Sequence, residues 1–204
     1  MVAVGGATVG EHLIRSARAV GIPAHEGYGF SEGASVQTLN LPGADRPGSV
    51  GRALPHTRLR VDAQGQIHVA GSLMAVYLGD PTPMPEWWAT GDVGHLDTDG
   101  FLYVHGRQRN VLITAYGRNV SPEWVEAALR STPTIAQAVV FGEAQPALGA
   151  VLWPLRPDAT DAQLQAAVDA ANSRLPDYAR IGPWVRARAD FSPATGLATA
   201  NGRP

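Results

Sequence analysis

The chain has 204 residues, 45% hydrophobic and 17% charged, with a formal net charge of −2. That is enough apolar length for a packed core in one or two domains, and it excludes disorder, a basic face for nucleic acid and, with no cysteine, a disulfide scaffold or a thiolate nucleophile. All 16 basic residues are arginine, so no step can draw on a lysine of this chain.

Val2-Ala3-Val4 is a short apolar run that ends in Gly5-Gly6. Thr8 and Glu11 have the T-x-x-E spacing of a capping box, and Leu13, Ile14, Ala17 and Val20 then recur with helical period. Gly21 and Pro23 end that helix, and Ala24-His25-Glu26 reads as a second strand. Strand–helix–strand with glycines at the strand ends is the plan of an α/β nucleotide fold. No earlier strand precedes Val2, so the expectation is that this unit is part of a larger sheet. Residues 35–105 read as β-structure. Arg58–Val61 and Gln66–Val69 alternate around a turn at Asp62–Gly65, and Thr98-Asp99-Gly100 turns into Phe101–Val104. The prolines of Asp80–Pro85 mark a loop, and Trp87-Trp88 reads as packing.

From residue 107 the character changes. Val111–Thr114 and Val120 flank a turn at Tyr116–Asn119, and Ser121 caps a helix with Pro122 at its first position and Trp124, Val125, Ala128 and Leu129 as its buried stripe. Strands are predicted at 136–141 and 150–153. Thr160 and Gln163 form a second capping box, before a helix whose Leu164, Ala167, Val168, Ala171 and Leu175 share a face. Trp184–Phe191 is predicted as the last strand, and a small-residue tail follows. The expected division is 1–106 and 107–204, with the joint at Arg107–Asn110. The overall expectation is α/β plus α+β: a strand–helix–strand piece, a β-barrel-like subdomain and a small α+β domain.

Glu26-Gly27-Tyr28-Gly29-Phe30-Ser31-Glu32-Gly33 concentrates chemistry. Glycines admit tight turns and close approach to a ligand, a tyrosine ring offers a stacking face, serine a hydroxyl, and glutamate a hard oxygen of the kind Mg²⁺ takes beside phosphates. Four further pieces flank it along the chain: Gly5-Gly6-Ala7 before it, then Thr90-Gly91-Asp92, Gly106-Arg107 and Gly117–Glu126 after it. The six histidines, at 12, 25, 56, 68, 95 and 105, have no metal-ligand spacing.

Taken together these pieces resemble the adenylate-forming superfamily: acyl- and aryl-CoA synthetases, peptide-synthetase adenylation domains and luciferases. The resemblance implies an acid–thiol ligase that uses ATP and Mg²⁺ to make an acyl-AMP, then passes the acyl group to coenzyme A or a phosphopantetheine carrier protein. It implies backbone contacts to adenine and acyl group from Gly5, Gly6 and Ala7, and a nucleotide contact at Gly29. It implies stacking of adenine on Tyr28 with Val104 across it, an α-phosphate contact from Ser31, Mg²⁺ on Glu32, and ribose held by Asp92 and Arg107. Arg109 falls at the hinge position, and Gly117 in a turn beside the pantetheine tunnel. Two departures stand out. The family's phosphate loop, with its lysine, lies upstream of the Gly-Gly-Ala turn and is not in this sequence. Arg203 stands where the closing Asn-Gly-Lys motif has its catalytic lysine, and a planar guanidinium is not equivalent to a compact ammonium. A fragment inactive by itself is therefore expected. The alternatives are a non-catalytic homologue that only binds nucleotide or a partner, and a fatty acyl-AMP ligase or adenylation domain. A carboxylic acid in fatty acid metabolism is the expected substrate, with a cytoplasmic setting, no nucleic acid and no membrane span.

Overall fold

The structure, a computed structural model, describes residues 1–6 and 9–200. The chain divides into two compact units, 1–109 and 110–204. In the first, β1 (Val2–Val4), α1 (Glu11–Ala19) and β2 (Ala24–Tyr28) form a parallel crossover, with Val2 opposite Ala24 and Val4 opposite Glu26. Antiparallel β3 (Thr38–Leu39) and β4 (Arg52–Ala53) extend that sheet in the order β1-β2-β3-β4.

The helix departs from the sequence reading at its start and in which of its apolar residues are buried. It begins at Glu11 with Gly10 as N-cap, so Glu11 is the first helical residue and not the third, and it pairs with Arg15 one turn on. Thr8 lies outside the described residues. Of the four apolar positions only Ile14 is buried, whereas Leu13 and Val20 are 62% and 75% exposed. The C-terminus does close as expected, with Gly21 N–H donating to the Arg18 carbonyl and Ile22 N–H to that of Ala17, satisfying two orphan carbonyls.

A second sheet, antiparallel and ordered β5-β6-β7-β8, uses β5 (Thr57–Val61), β6 (Gln66–Gly71), β7 (Trp88–Leu96) and β8 (Leu102–Arg107). Both expected hairpins are present. Asp62 and Asp97 each accept backbone N–H groups across their turns, Asp62 from Gln64 and Gln66 and Asp97 from Asp99 and Phe101, which is the local hydrogen bonding that makes aspartate a turn former. Ile67, Val69 and Leu102 are fully buried at its centre. The two sheets are joined where Val50 N–H donates to the Leu102 carbonyl and Leu102 N–H to that of Gly51. Trp87-Trp88 is not core: both rings are half-buried, and Trp87 carries the guanidinium groups of Arg58 and Arg60 at 5.3 and 4.5 Å.

The second unit opens with a hairpin of β9 (Leu112–Ile113) and β10 (Asn119–Val120), then α2 (Pro122–Arg130), β11 (Ile135–Phe141), β12 (Leu148–Pro154), α3 (Asp161–Asn172) and β13 (Ile181–Arg186). The sheet runs β11-β12-β13, with β12 antiparallel to β11 and parallel to β13. Both helices bury their apolar stripes in one cluster with it: Val125 and Leu129 from α2, Leu164, Val168 and Ala171 from α3. Trp124 is excluded from that stripe at 37% exposure. The α3 capping box is complete, as its spacing predicts. The last strand starts earlier and ends earlier than its apolar residues indicate, at Ile181 and Arg186. Phe191 is nonetheless buried, because the Gln137 side-chain amide donates to its carbonyl at 2.9 Å and accepts from its N–H at 2.7 Å.

Leu152 on β12 is fully buried in this cluster. Leu152→Ala should lower the stability of the 110–204 unit by about 2–5 kcal/mol in urea unfolding followed by circular dichroism.

Candidate functional site

Residues 29–37 form the loop of the β2–β3 hairpin, with Gly27 paired to Leu39 and Tyr28 to Thr38. The loop folds back tightly enough that a Cβ on Gly29 would lie 1.3 Å from the Ser35 carbonyl oxygen, so only glycine fits there. Ser31–Gly33 make one 3-10 turn, followed by Ala34 and Ser35 at φ 58° and 85°. Gln37, fully buried, supports the loop from below. Its amide N–H₂ donates to the Gly33 carbonyl, and its amide oxygen accepts the Thr57 hydroxyl at 2.9 Å. Ser31 and Glu32 are thereby held on a short, braced turn.

Tyr28, at the end of β2, donates its hydroxyl to Asp92 Oδ2 at 2.6 Å. The second oxygen of Asp92 faces Arg107 Nε at 2.9 Å, from the register position directly opposite on β8. Asp92 is 5% exposed. Thr90 completes the group: its hydroxyl donates to the Ile67 carbonyl at 3.0 Å and accepts Asp92 N–H at 3.1 Å, while its carbonyl accepts Arg107 Nη1 at 3.1 Å. Burial, then the Asp92 charge, raises the Tyr28 phenol well above its ordinary value. The tyrosine is a fixed neutral donor, and a carboxylate oxygen such as those of Asp92 can accept more than one hydrogen bond. A paired carboxylate, a phenol ring and a forked guanidinium on two sheets are suited to a vicinal diol beside a flat base.

Val104 is half-buried against Ile67, Val69 and Leu102, the cluster against which the Tyr28 ring also packs. Arg109 is exposed on the short turn 108–110, where it lines a shallow depression of about 290 Å³ with Thr90, Gly91, Arg107 and Gln108. A Cβ on Gly5 would meet the Gly27 carbonyl at 2.8 Å, so the chain there runs close against β2. Gly117 has φ 71° at an open turn, and a Cβ there would meet nothing within 4 Å. Ala7 and Arg203 lie outside the described residues.

Three contributors are not assigned by the sequence reading. Thr90 lies inside the Thr-Gly-Asp motif, and its alternation with Asp92 on one strand face is the available signal. Tyr77 donates its hydroxyl to Glu32 Oε1 at 2.8 Å across 45 residues of sequence, which leaves no local trace. Glu26, 4% exposed, accepts Val9 N–H at 3.1 Å, and burial against that opposing hydrogen bond moves its carboxyl from 4.5 up to about 7.

Residues 109–193 match the family described as AMP-binding enzyme C-terminal domain. The long-chain-fatty-acid–CoA ligase FadD15 of Mycobacterium bovis is 34% identical over 181 residues, which cover 86% of this chain and 30% of that protein. The chain thus spans about a third of the length of this curated relative. The o-succinylbenzoate CoA synthetase of Bacillus subtilis, solved with its acyl-adenylate intermediate, is 26% identical with a TM-score of 0.78 over 92% of this chain and 42% of that one. The same enzyme has been solved with ATP and magnesium ion, at a TM-score of 0.75 over 91% of this chain and 42% of that one, again at 26% identity. The anthranilate CoA ligase AuaEII, solved with anthranoyl-AMP, shares the fold at a TM-score of 0.81 and 22% identity over 93% of this chain and 41% of its own.

An acid that holds its proton more tightly when folded stabilises the fold most below its unfolded value and loses that contribution as pH rises through the folded one. For Glu26 this window runs from 4.5 to about 7. The urea midpoint of the wild type, measured against that of Glu26→Gln, should therefore decline as pH rises across the window and hold level above it. Parallel pH profiles for the two proteins would contradict the assignment.

Proposed function

We propose that this chain, which belongs to the adenylate-forming superfamily and corresponds to its C-terminal portion, supplies the nucleotide-gripping half of an AMP-forming acid–thiol ligase. The observation that carries the reading is the Tyr28–Asp92–Arg107 group. Its buried carboxylate is already desolvated and oriented by Tyr28 and Arg107, and a carboxylate oxygen can accept a further hydrogen bond, here from a sugar hydroxyl. In this reading Tyr28 offers its ring to adenine with Val104 opposite, Asp92 and Arg107 hold the ribose, and Gly5, Gly6, Ala7 and Gly29 bring backbone close to the nucleotide.

Ser31 would take the α-phosphate and Glu32 the Mg²⁺. The residues fit a magnesium ion on one count visible in the structure: Glu32 is half-buried on a braced turn, and only one of its two oxygens receives a hydrogen bond among the described residues, from Tyr77. Mg²⁺ characteristically takes one or two carboxylates and fills its other positions with phosphate and water. When bound, the metal would neutralise phosphate charge as the substrate carboxylate attacks. The chain's own part is positioning: Asp92 and Arg107 fix the sugar, and Ser31 donates to the phosphate. Arg109 would serve as the hinge between the large-domain piece, 1–106, and the mobile domain, 107–204. Gly117 would leave room for a pantetheine arm, from coenzyme A or a carrier protein, in the thioester-forming step. A fatty acid is the proposed acid, in a cytoplasmic setting suited to a cysteine-free chain. Among the described residues, no helix is long and apolar enough to cross a membrane.

Arg203 in the lysine position favours a second reading, a homologue that binds nucleotide without turnover. Pyrophosphate exchange in the intact protein separates the two: exchange supports the ligase, and AMP binding with no exchange supports the second reading. In an active enzyme Asp92→Ala should cut exchange by about 100-fold or more. Gly117→Trp should leave exchange within about twofold and stop thioester formation, because its side chain would obstruct the thiol arm. Normal thioester yield from that variant would refute the role given to Gly117.

A further inference from the structure

The excursion from Leu73 to Trp87, between β6 and β7, is pinned to one residue outside itself by two hydrogen bonds of different kinds. Met74 N–H donates to the Glu32 carbonyl at 2.8 Å, and the Tyr77 hydroxyl donates to Glu32 Oε1 at 2.8 Å. The excursion is internally closed as well. Met84 N–H donates to the Ala75 carbonyl, Asp80 N–H donates to that of Tyr77, and the Asp80 side chain accepts Thr82 N–H. The Tyr77 ring packs at 6.4 Å from Trp88, the first residue of β7, four positions before Asp92. The hydroxyl donates to the carboxylate, and among the described residues only one of the two Glu32 carboxylate oxygens, Oε1, receives a hydrogen bond.

We propose that Tyr77 is a positioning residue that fixes the Glu32 carboxylate for one-oxygen coordination of a divalent cation, and that the 73–87 excursion exists in part to deliver that hydroxyl. The proposal rests on the reading of Glu32 as a metal ligand and adds what orients it. A carboxylate on a solvent-facing turn rotates freely about its last torsion, and a hydrogen bond to one oxygen removes that freedom and directs the other outward. Anchoring the excursion to the backbone of Glu32 sets the distance, and the Trp88 contact sets the ring angle.

The test is Mn²⁺ binding to the intact enzyme in the presence of ATP, read by electron paramagnetic resonance, for the wild type, Tyr77→Phe and Glu32→Gln. Phenylalanine keeps the ring against Trp88 and removes only the hydroxyl. Tyr77→Phe should weaken Mn²⁺ binding about 10- to 100-fold, the range for loss of a hydrogen bond to a ligating group, with metal-free AMP affinity unchanged within about twofold. Mn²⁺ affinity equal to wild type in Tyr77→Phe overturns the proposal and leaves Glu32 as a ligand that needs no orienter. A matching loss of AMP affinity overturns it in another way, by making Tyr77 a general prop. If Glu32→Gln also binds Mn²⁺ as the wild type does, the metal reading of Glu32 itself falls, and Tyr77 with it.

Discussion

A carboxylate withdrawn from water has to be paired, and in the first unit that requirement falls on Asp92. Its charge is compensated by Arg107 from the neighbouring strand and by a phenol arriving from a different sheet. Losing one partner of such a buried group typically costs about 3–5 kcal/mol, so the arrangement is close to obligatory once the carboxylate is buried. The pairing fixes where the end of β2 stands against β7 and β8. That in turn fixes where the hairpin loop carrying Ser31 and Glu32 begins. The site is therefore not laid over a finished scaffold: the two sheets of the unit are joined at one end by Val50, Gly51 and Leu102 and tied at another point through the site's own polar residues.

The loop after β2 shows how a short irregular segment is made rigid. Gly29 lets the backbone pass under Ser35 at a distance no side chain tolerates, and the buried Gln37 amide takes the place of strand pairing for Gly33. A buried amide of this kind has to satisfy both its donor and its acceptor, and Gly33 and Thr57 do so. The same device recurs in the second unit, where Gln137 pairs with both backbone groups of Phe191 as a strand would. In both places a glutamine side chain extends backbone-like hydrogen bonding beyond the point where the sheet stops.

Much of this is legible from residue patterns. The strand–helix–strand start, both hairpins of the second sheet, the starts of α2 and α3 and the Thr160–Gln163 box follow from local period and local capping chemistry, which act within four residues; Leu175, read as part of the α3 face, lies beyond the helix end at Asn172 and is buried from the turn that follows. The failures have a common cause in tertiary context. Leu13 and Val20 keep helical spacing but not burial, because period records only which residues share a face and not what covers it. Trp87 reads as core by type, yet two arginines take its ring as a platform. The end of the last strand is misplaced because Phe191 is buried by a side-chain clamp 54 positions away and not by continued pairing. Within the site, Asp92 and Arg107 are found as pieces of motifs. That they face each other depends on the register of β7 with β8, and that Tyr28 gives its hydroxyl to the same carboxylate depends on a side-chain contact between two sheets across 64 residues, which no local pattern encodes.

The β1–α1 pair leaves apolar surface and one side of a strand uncovered among the described residues. β1 is the outermost strand of its sheet among the described residues, and Met1, Val2, Leu13, Val20 and Ile22 all present apolar surface nearby in sequence. An outer strand bears unpaired backbone donors and acceptors along one side, and natural edges are normally guarded by charge or proline. Val2-Ala3-Val4 carries neither. A strand of that kind is one on which another can add, so among the described residues the backbone pairing left open in this sheet lies on the β1 side.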